Sequence, residues 1–393
     1  MRIPPPLQIL TAVLALALIP VLRPAAAEPM APEFVTVFSA GDAGYGSIRI
    51  PAVVLSRRGV LLAFAEGRAT PADQAGNDLI LRRSLDQGRT WGPIQIVQED
   101  GAHSLNNPTV VTDDHTGRTF LIYQRIPSHL KERSAHIATG HEGPDIYRCL
   151  VTWSDDDGQT WTAPRDITRS AKREAQATTI ASGPGIGIQL RHGPHAGRLI
   201  IPFNAGPYHL WNNYAVFSDD HGATWVAGDN VPGAFLPGPS GERRSQINEV
   251  QMAELGDGSV RLNSRPFAGH PVRKTSVSAD GGRTWSPVTD VPEQPDPSCN
   301  ASILRHTPPA NGQPGLLLFS GPHGTRRSRG TVHLSRDDGA TWPVQRRFWE
   351  GFFAYSVLVR LPDGTVGCLF EADDYHRLVF ARIPLDWITS DDP

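Results

Sequence analysis

The chain has 393 residues, of which 39% are hydrophobic and 20% charged, and it carries a formal net charge of -3. That length suits two average domains or one large repetitive one, and the near-neutral balance excludes both a broad basic surface for nucleic acid and an acidic tail. The 38 glycines and 35 prolines, spread along the whole length, indicate many short strands joined by turns rather than long helices.

Residues 1–27 read as an export signal. Arg2 supplies the positive start, Leu7 to Leu22 an apolar run of signal-peptide length, and Ala25-Ala26-Ala27 a small-residue cleavage site. A retained N-terminal anchor is the rival reading. No other stretch is apolar for long enough to span a bilayer. The mature chain, 28–393, is therefore expected as one secreted or periplasmic domain that functions as a monomer. Phe34 to Phe38 is expected to be a strand that completes the last repeat unit.

From residue 84 onward one pattern recurs. Ser84-Leu85-Asp86-Gln87-Gly88-Arg89-Thr90-Trp91 has the form S-x-D-x-G-x-T-W, which begins again at Ser154, Ser218, Ser278 and Ser335. Asp accepts hydrogen bonds from nearby backbone N–H groups, Gly supplies a positive φ, and Thr and Trp re-enter a strand. Each copy is thus a hairpin turn, expected between the outer strands of a small antiparallel sheet. Residues 28–393 divide into six units of about 61 residues, a period typical of one supersecondary unit per repeat. The expectation is an all-β fold, a six-bladed β-propeller with four antiparallel strands per blade, one blade lacking the motif. The five aspartates are turn formers rather than catalysts, because five identical turns cannot share one centre.

Between the repeats, Gly183-Pro184-Gly185-Ile186-Gly187 superficially suggests phosphate binding. It opens no clear helix, so it is assigned to a strand with close backbone approach. His192 and His195 read as turn residues. Cys149, Cys299 and Cys368 match no zinc pattern and are too few for a disulfide scaffold, so they read as buried small residues. Asn107-Pro108 and the stretch Asn204 to Trp211, with Tyr208, fall where substrate loops are expected. Trp211 either stacks on a ligand or fills the fold.

Several segments outside the repeats carry a resemblance. Ile48-Arg49-Ile50-Pro51 comes first, then Phe64-Ala65-Glu66-Gly67-Arg68 followed by Asp73. Next are Asn248-Glu249-Val250-Gln251 and Leu262-Asn263-Ser264-Arg265, then Gly321-Pro322 with Arg326-Arg327. Ala354-Tyr355-Ser356 and Cys368-Leu369-Phe370-Glu371-Ala372 complete the series. In this order, together with the repeats, the chain resembles the sialidase (neuraminidase) family over nearly all of its mature length. It departs from the family's F/Y-R-I-P signature by having Ile48 where an aromatic usually stands.

The resemblance implies an exo-α-sialidase with no metal and no cofactor, acting on sialylated glycoproteins, glycolipids or oligosaccharides. A sialic acid bears a carboxylate on its anomeric carbon, and arginine's planar fork binds carboxylates bidentately. By resemblance the clamp is Arg49, Arg265 and Arg327, with Glu371 orienting Arg49. Arg326 competes with Arg327 for the third place. Tyr355 is the implied nucleophile, Glu249 its base, and Asp73 the acid and then base, with Glu66 and Arg68 in support. A neutral phenol avoids the repulsion that a carboxylate nucleophile would meet from the substrate. Asn107, Tyr208 and Trp211 are candidates for the sugar pocket. A trans-sialidase or an enzyme preferring KDN, the analogue without the N-acetyl group, would use the same residues. A non-catalytic glycan- or protein-binding propeller is the alternative from another class.

Overall fold

Each of the five repeats folds into the same hydrogen-bonded turn in the computed structural model, which describes residues 1–4, 30–172, 177–310 and 315–390. The serine hydroxyl donates to one aspartate oxygen at 2.7–2.8 Å. The glycine N–H donates to that serine Oγ at 2.8 Å. Threonine closes the loop, its N–H on Oδ1 and its hydroxyl 2.6 Å from Oδ2. The turn thus satisfies its own backbone donors, which is why the sequence repeats where it must reverse. Most of the proposed export signal lies outside the described residues.

Every such turn joins the third strand of an antiparallel sheet to its fourth. The first sheet runs Ser47–Leu55, Leu61–Arg68, Asp78–Ser84, Gln95–Gln98. The second follows with Ser104–Thr112, Thr119–Ile126, Arg148–Ser154 and Arg165–Asp166. The third is Thr179–Ser182, Leu199–Gly206, Asn212–Ser218 and Val226–Ala227, and the fourth Ile247–Glu254, Val260–Pro266, Val272–Ser278 and Thr289–Pro295. The last is a seven-stranded sheet. Its 17-residue strand Val344–Arg360 pairs through its first half with Ser328–Ser335 and through its second with Val366–Ala372. The strand expected at Phe34 to Phe38 forms as Glu33–Ser39 and adds to Arg377–Ile383, so the two ends of the chain meet in one sheet.

Faces of neighbouring sheets supply the core. Phe64, Leu79 and Leu81 of the first sheet pack with Val110, Leu121 and Tyr123 of the second, all buried. The second meets the third, and the third the fourth, in the same way. Buried on both faces, a strand such as Leu61–Arg68 is continuously apolar at first instead of alternating. The repeat turns seat on the preceding sheet: Trp91 lies edge-on to Phe380, Trp161 to Phe64 and Trp225 to Phe120, at 5.4–5.8 Å. The first strands lie side by side, Ser47–Leu55 between Ser104–Thr112 and Val344–Arg360.

Gly183–Gly187 bears out the strand assignment. Gly185–Ile186 pairs in parallel with Thr109 and Val110, and a Cβ on Gly185 would sit 3.1 Å from Val357. His192 caps, and His195 ends, a single 3-10 turn, Gly193–His195. The three cysteines are free and buried. Among the described residues no helix is long and apolar enough to cross a membrane.

Candidate active site

Four first strands break register at the residues singled out by the sequence. The ladder shifts between Arg49 and Ala52, between Asn106 and Thr109, between Ile247 and Val250, and between Phe353 and Ser356. A bulge opposes two residues to one and re-aims a side chain. Here it turns Arg49, Asn107, Glu249 and Tyr355 toward one cavity of about 310 Å³. Ile50 and Asn107 take up the distortion with φ of 60° and 55°, a conformation a β-branched residue adopts only under constraint.

On one wall three arginines converge. Arg49 forms a bidentate pair with Glu371, at 3.0 and 3.1 Å. Glu371 is fully buried and also accepts the backbone N–H groups of Ile50 and Tyr355. Burial opposes the charge on Arg49, but Glu371 outweighs it and raises the guanidinium pKa further. Arg265 donates through Nη1 to Glu249 at 2.7 Å and to the Tyr355 hydroxyl at 2.9 Å. Arg327 donates to the Tyr375 hydroxyl and to the Ser298 carbonyl, each at 2.8 Å. Of the two neighbours that compete for the third place, Arg327 lines the cavity and Arg326 is exposed.

Beneath the arginines lies a carboxylate–phenol pair. The Tyr355 hydroxyl donates to Glu249 Oε1 at 2.5 Å, with the Glu249 side chain only 13% exposed. Burial, and then the charge of Glu249, push the Tyr355 pKa well above 10, with Arg265 and Arg327 pulling it back. The phenol is therefore neutral at rest, with a carboxylate in contact to receive its proton.

Asp73 stands on the opposite side at the cavity mouth, its side chain 65% exposed. Arg68 fixes it, donating from Nη1 to Asp73 at 3.0 Å and from Nε to Glu66 at 2.8 Å. Glu66 is fully buried and accepts further from Asn77, Asn106 and the N–H of Asn107. Burial raises the Glu66 pKa, and Arg68 opposes the rise. Glu66 and Arg68 thus form a buried pair that holds an exposed carboxylate.

Tyr208 and Trp211 also line the cavity, with Trp211 packed into its wall. It is 3% exposed and meets Phe267 edge-on at 4.8 Å. Sequence reasoning missed several residues. Ser298 joins two arginines, its Oγ accepting from Arg265 and its carbonyl from Arg327. Tyr375 lies under Arg49, 4.0 Å from ring centroid to guanidinium carbon. Glu132 and Arg133 reach the cavity from loop 127–147, whose length without a repeat motif was the one available signal. Among the described residues no group of three His, Cys, Asp or Glu could hold a metal ion.

Comparison with known proteins finds relatives over most of the chain. Residues 59–368 match the family model described as a BNR repeat-like domain. The chain is 38% identical over 363 residues to a sialidase of Micromonospora viridifaciens, aligning 88% of this chain but spanning 53% of that relative. It is 30% identical over 380 residues to sialidase-2 of Cricetulus griseus, covering 89% of this chain and 94% of that one. Among solved structures it is similar to the Hadza microbial sialidase Hz136, with TM-score 0.77, 28% identity and coverage of 89% and 68%. With repeats, cavity and relatives in agreement over most of its length, this chain belongs to the sialidase family.

Proposed function

We propose that the protein is an exo-α-sialidase that hydrolyses terminal sialic acids from glycoproteins, glycolipids or oligosaccharides with net retention. The observation that carries this is the Glu249–Tyr355–Arg265 contact set beside Arg49 and Arg327. A phenol hydrogen-bonded to a carboxylate, next to a cationic wall, suits attack on an anomeric carbon that itself bears a carboxylate.

In this reading the three arginines bind the substrate carboxylate. Tyr355 Oη attacks the anomeric carbon as its proton passes to Glu249, while Asp73 protonates the departing glycosidic oxygen. Asp73 then takes a proton from water, which attacks the same carbon. The phenol oxygen leaves and recovers its proton from Glu249. Two inversions leave the configuration retained. Arg265 bonds to both Glu249 and Tyr355, and so stabilises the pair whichever atom holds the proton.

The scaffold we infer is a six-bladed β-propeller over residues 28–393. Support comes from the long strand Val344–Arg360, which serves two antiparallel meanders, and from the closure of Glu33–Ser39 on Arg377–Ile383. We infer export to the periplasm or beyond from the N-terminal sequence pattern, and a monomeric state because one chain supplies every residue named.

The test is hydrolysis of a fluorogenic α-sialoside. Tyr355→Phe should lose at least about 100-fold in kcat, and Glu249→Gln about 10²–10⁴-fold. A 2,3-difluorinated sialosyl donor should label the parent enzyme by one sugar mass and leave Tyr355→Phe unlabelled. Full activity in Tyr355→Phe would remove the tyrosine from the mechanism and keep the hydrolase.

A further inference from the structure

The strands that build the active site continue past it to a second cavity. Arg49, Glu249 and Tyr355 lie in the N-terminal parts or middle of their strands. The C-terminal ends of those same strands, with Ser104–Thr112 and Ser302–Thr307, surround a separate space of about 400 Å³. The two cavities share no lining residue. Between them runs Gly183–Ile186. The Pro184 carbonyl accepts from Gln251 at 2.7 Å and Asn300 at 2.9 Å, while Gly185–Ile186 pairs with Thr109 and Val110. This crossing segment partitions the interior, so the second cavity opens on its own side.

Its wall has two chemistries. The floor is apolar, formed by Val54, Val111, Ile186, Met252, Ile303 and Val359. The rim is cationic, and the two carboxylates that reach it are already engaged. Asp114 pairs with Arg191 at 2.9 Å, and Glu254 accepts the backbone N–H groups of Arg191 and His192. Arg305 is held by Asp338, outside the cavity, yet its buried Nη1 has no hydrogen-bond partner. Arg57 is exposed and donates to the His115 carbonyl at 2.8 Å, with no carboxylate partner among the described residues. Arg360 is exposed at the end of its strand and has no carboxylate partner among the described residues.

We propose that this second cavity binds a small amphiphilic monoanion, its carboxylate held by Arg57 and Arg360 and its aliphatic body laid on the Val54–Ile186–Val359 floor. The volume falls in the range of small-molecule sites. Two unanswered guanidinium groups select a carboxylate, which their planar forks can hold bidentately. The floor discriminates against fully polar anions, because each methylene moved from water onto it tightens binding by about fourfold. The site is independent of catalysis and of the sialidase reading.

Methionine makes it directly observable. The chain has three methionines. Met252 is fully buried in the wall of this cavity and reports on its filling, whereas Met1 and Met30 are exposed and serve as internal controls. With the full chain labelled at methionine methyl carbons, octanoate should shift the Met252 resonance saturably, with a Kd of about 1 mM or tighter, and leave Met30 unmoved. Octanamide, the uncharged analogue, should bind at least about tenfold more weakly. The Arg57→Gln/Arg360→Gln double variant should weaken octanoate by a similar factor, and Tyr355→Phe should not. No saturable Met252 shift by about 20 mM octanoate, equal binding of octanamide, or unchanged binding by the double variant would each overturn the proposal.

Discussion

Glu132 brings a third carboxyl to a cavity that already holds Glu249 and Asp73. Burial, and then the charges of those two neighbours, push its pKa up to about 7 against the pull of Arg265 and Arg133. An unfolded chain releases this proton at the ordinary glutamate value, so the folded state loses stability as pH rises from about 4.5 to about 7 and loses no more above that. Replacing Glu132 with Gln removes the slope. The melting temperature of Glu132→Gln relative to the parent should therefore rise between pH 4.5 and pH 7.5, as thermal unfolding at the two pH values would show. A difference that stays constant with pH would mean that Glu132 carries no such charge. Glu132, like Ser298 and Tyr375, was not legible in the sequence. Tyr375 reaches Arg49 because Asp373, Asp374 and Tyr375 all take positive φ, between 49° and 70°. No local pattern announces three consecutive left-handed residues in a polar hairpin. Arg49, Glu249 and Tyr355, by contrast, sit in recognisable motifs, and all three line the same cavity.

At the level of the element, the repeat turn was readable in its chemistry but not in its packing. The sequence shows the aspartate, the glycine and the tryptophan. It does not show that the residue before the glycine is also left-handed, as in Gln87, Asp157, His221 and Asp338. Nor does it show that the glycine is required by the neighbouring sheet. A Cβ on Gly222 would lie 2.2 Å from Phe120 and one on Gly88 2.3 Å from Phe380. The bulges that aim Arg49, Asn107, Glu249 and Tyr355 were equally hidden, because a one-residue register shift leaves hydrophobicity unchanged. In the Asp220 turn, burial favours the protonated acid, but hydrogen bonds from Thr224 and Ser218 outweigh it and lower the pKa; Asp86 is held at about 2 by the same means. Groups depressed in this way add stability above the unfolded aspartate pKa and lose it as pH falls through the folded value. Asp220→Ala should cost about 2 kcal/mol at pH 7, leave kcat for a sialoside unchanged, and flatten acid unfolding between about pH 4 and pH 2. Denaturant titrations of both proteins at pH 7 and pH 3 would measure this. An equal stability difference at both pH values would deny the turn carboxylate its role.

Over the whole molecule, cohesion depends on joining the chain's two ends. Glu33–Ser39 forms an antiparallel ladder with Arg377–Ile383, buries Val37 and Phe38, and covers an edge that would otherwise present unpaired backbone groups. Val37 and Phe38 share one apolar cluster with Ile48, Leu61 and Ala63 of the first sheet and with Leu378 and Phe380 of the last. Arg382 adds polar ties, bonding to Asp363 at 2.7 Å and to the carbonyl of Gln87 in the first repeat turn. The strand thus fastens the last sheet to the first. The candidate site depends on that fastening, since Arg49 comes from the first sheet while Glu371 and Tyr355 come from the last. A chain beginning after Ser39 loses about 1.5–3 kcal/mol for each of Val37 and Phe38, together with the ladder hydrogen bonds. It should unfold at a lower temperature and aggregate through the exposed Arg377–Ile383 edge. Its KM for a sialoside should rise more than that of a chain beginning at residue 30, because the Arg49–Glu371 pair spans the loosened joint. An unchanged melting temperature in the shorter chain would show that the remaining sheet contacts hold the ends together without this strand.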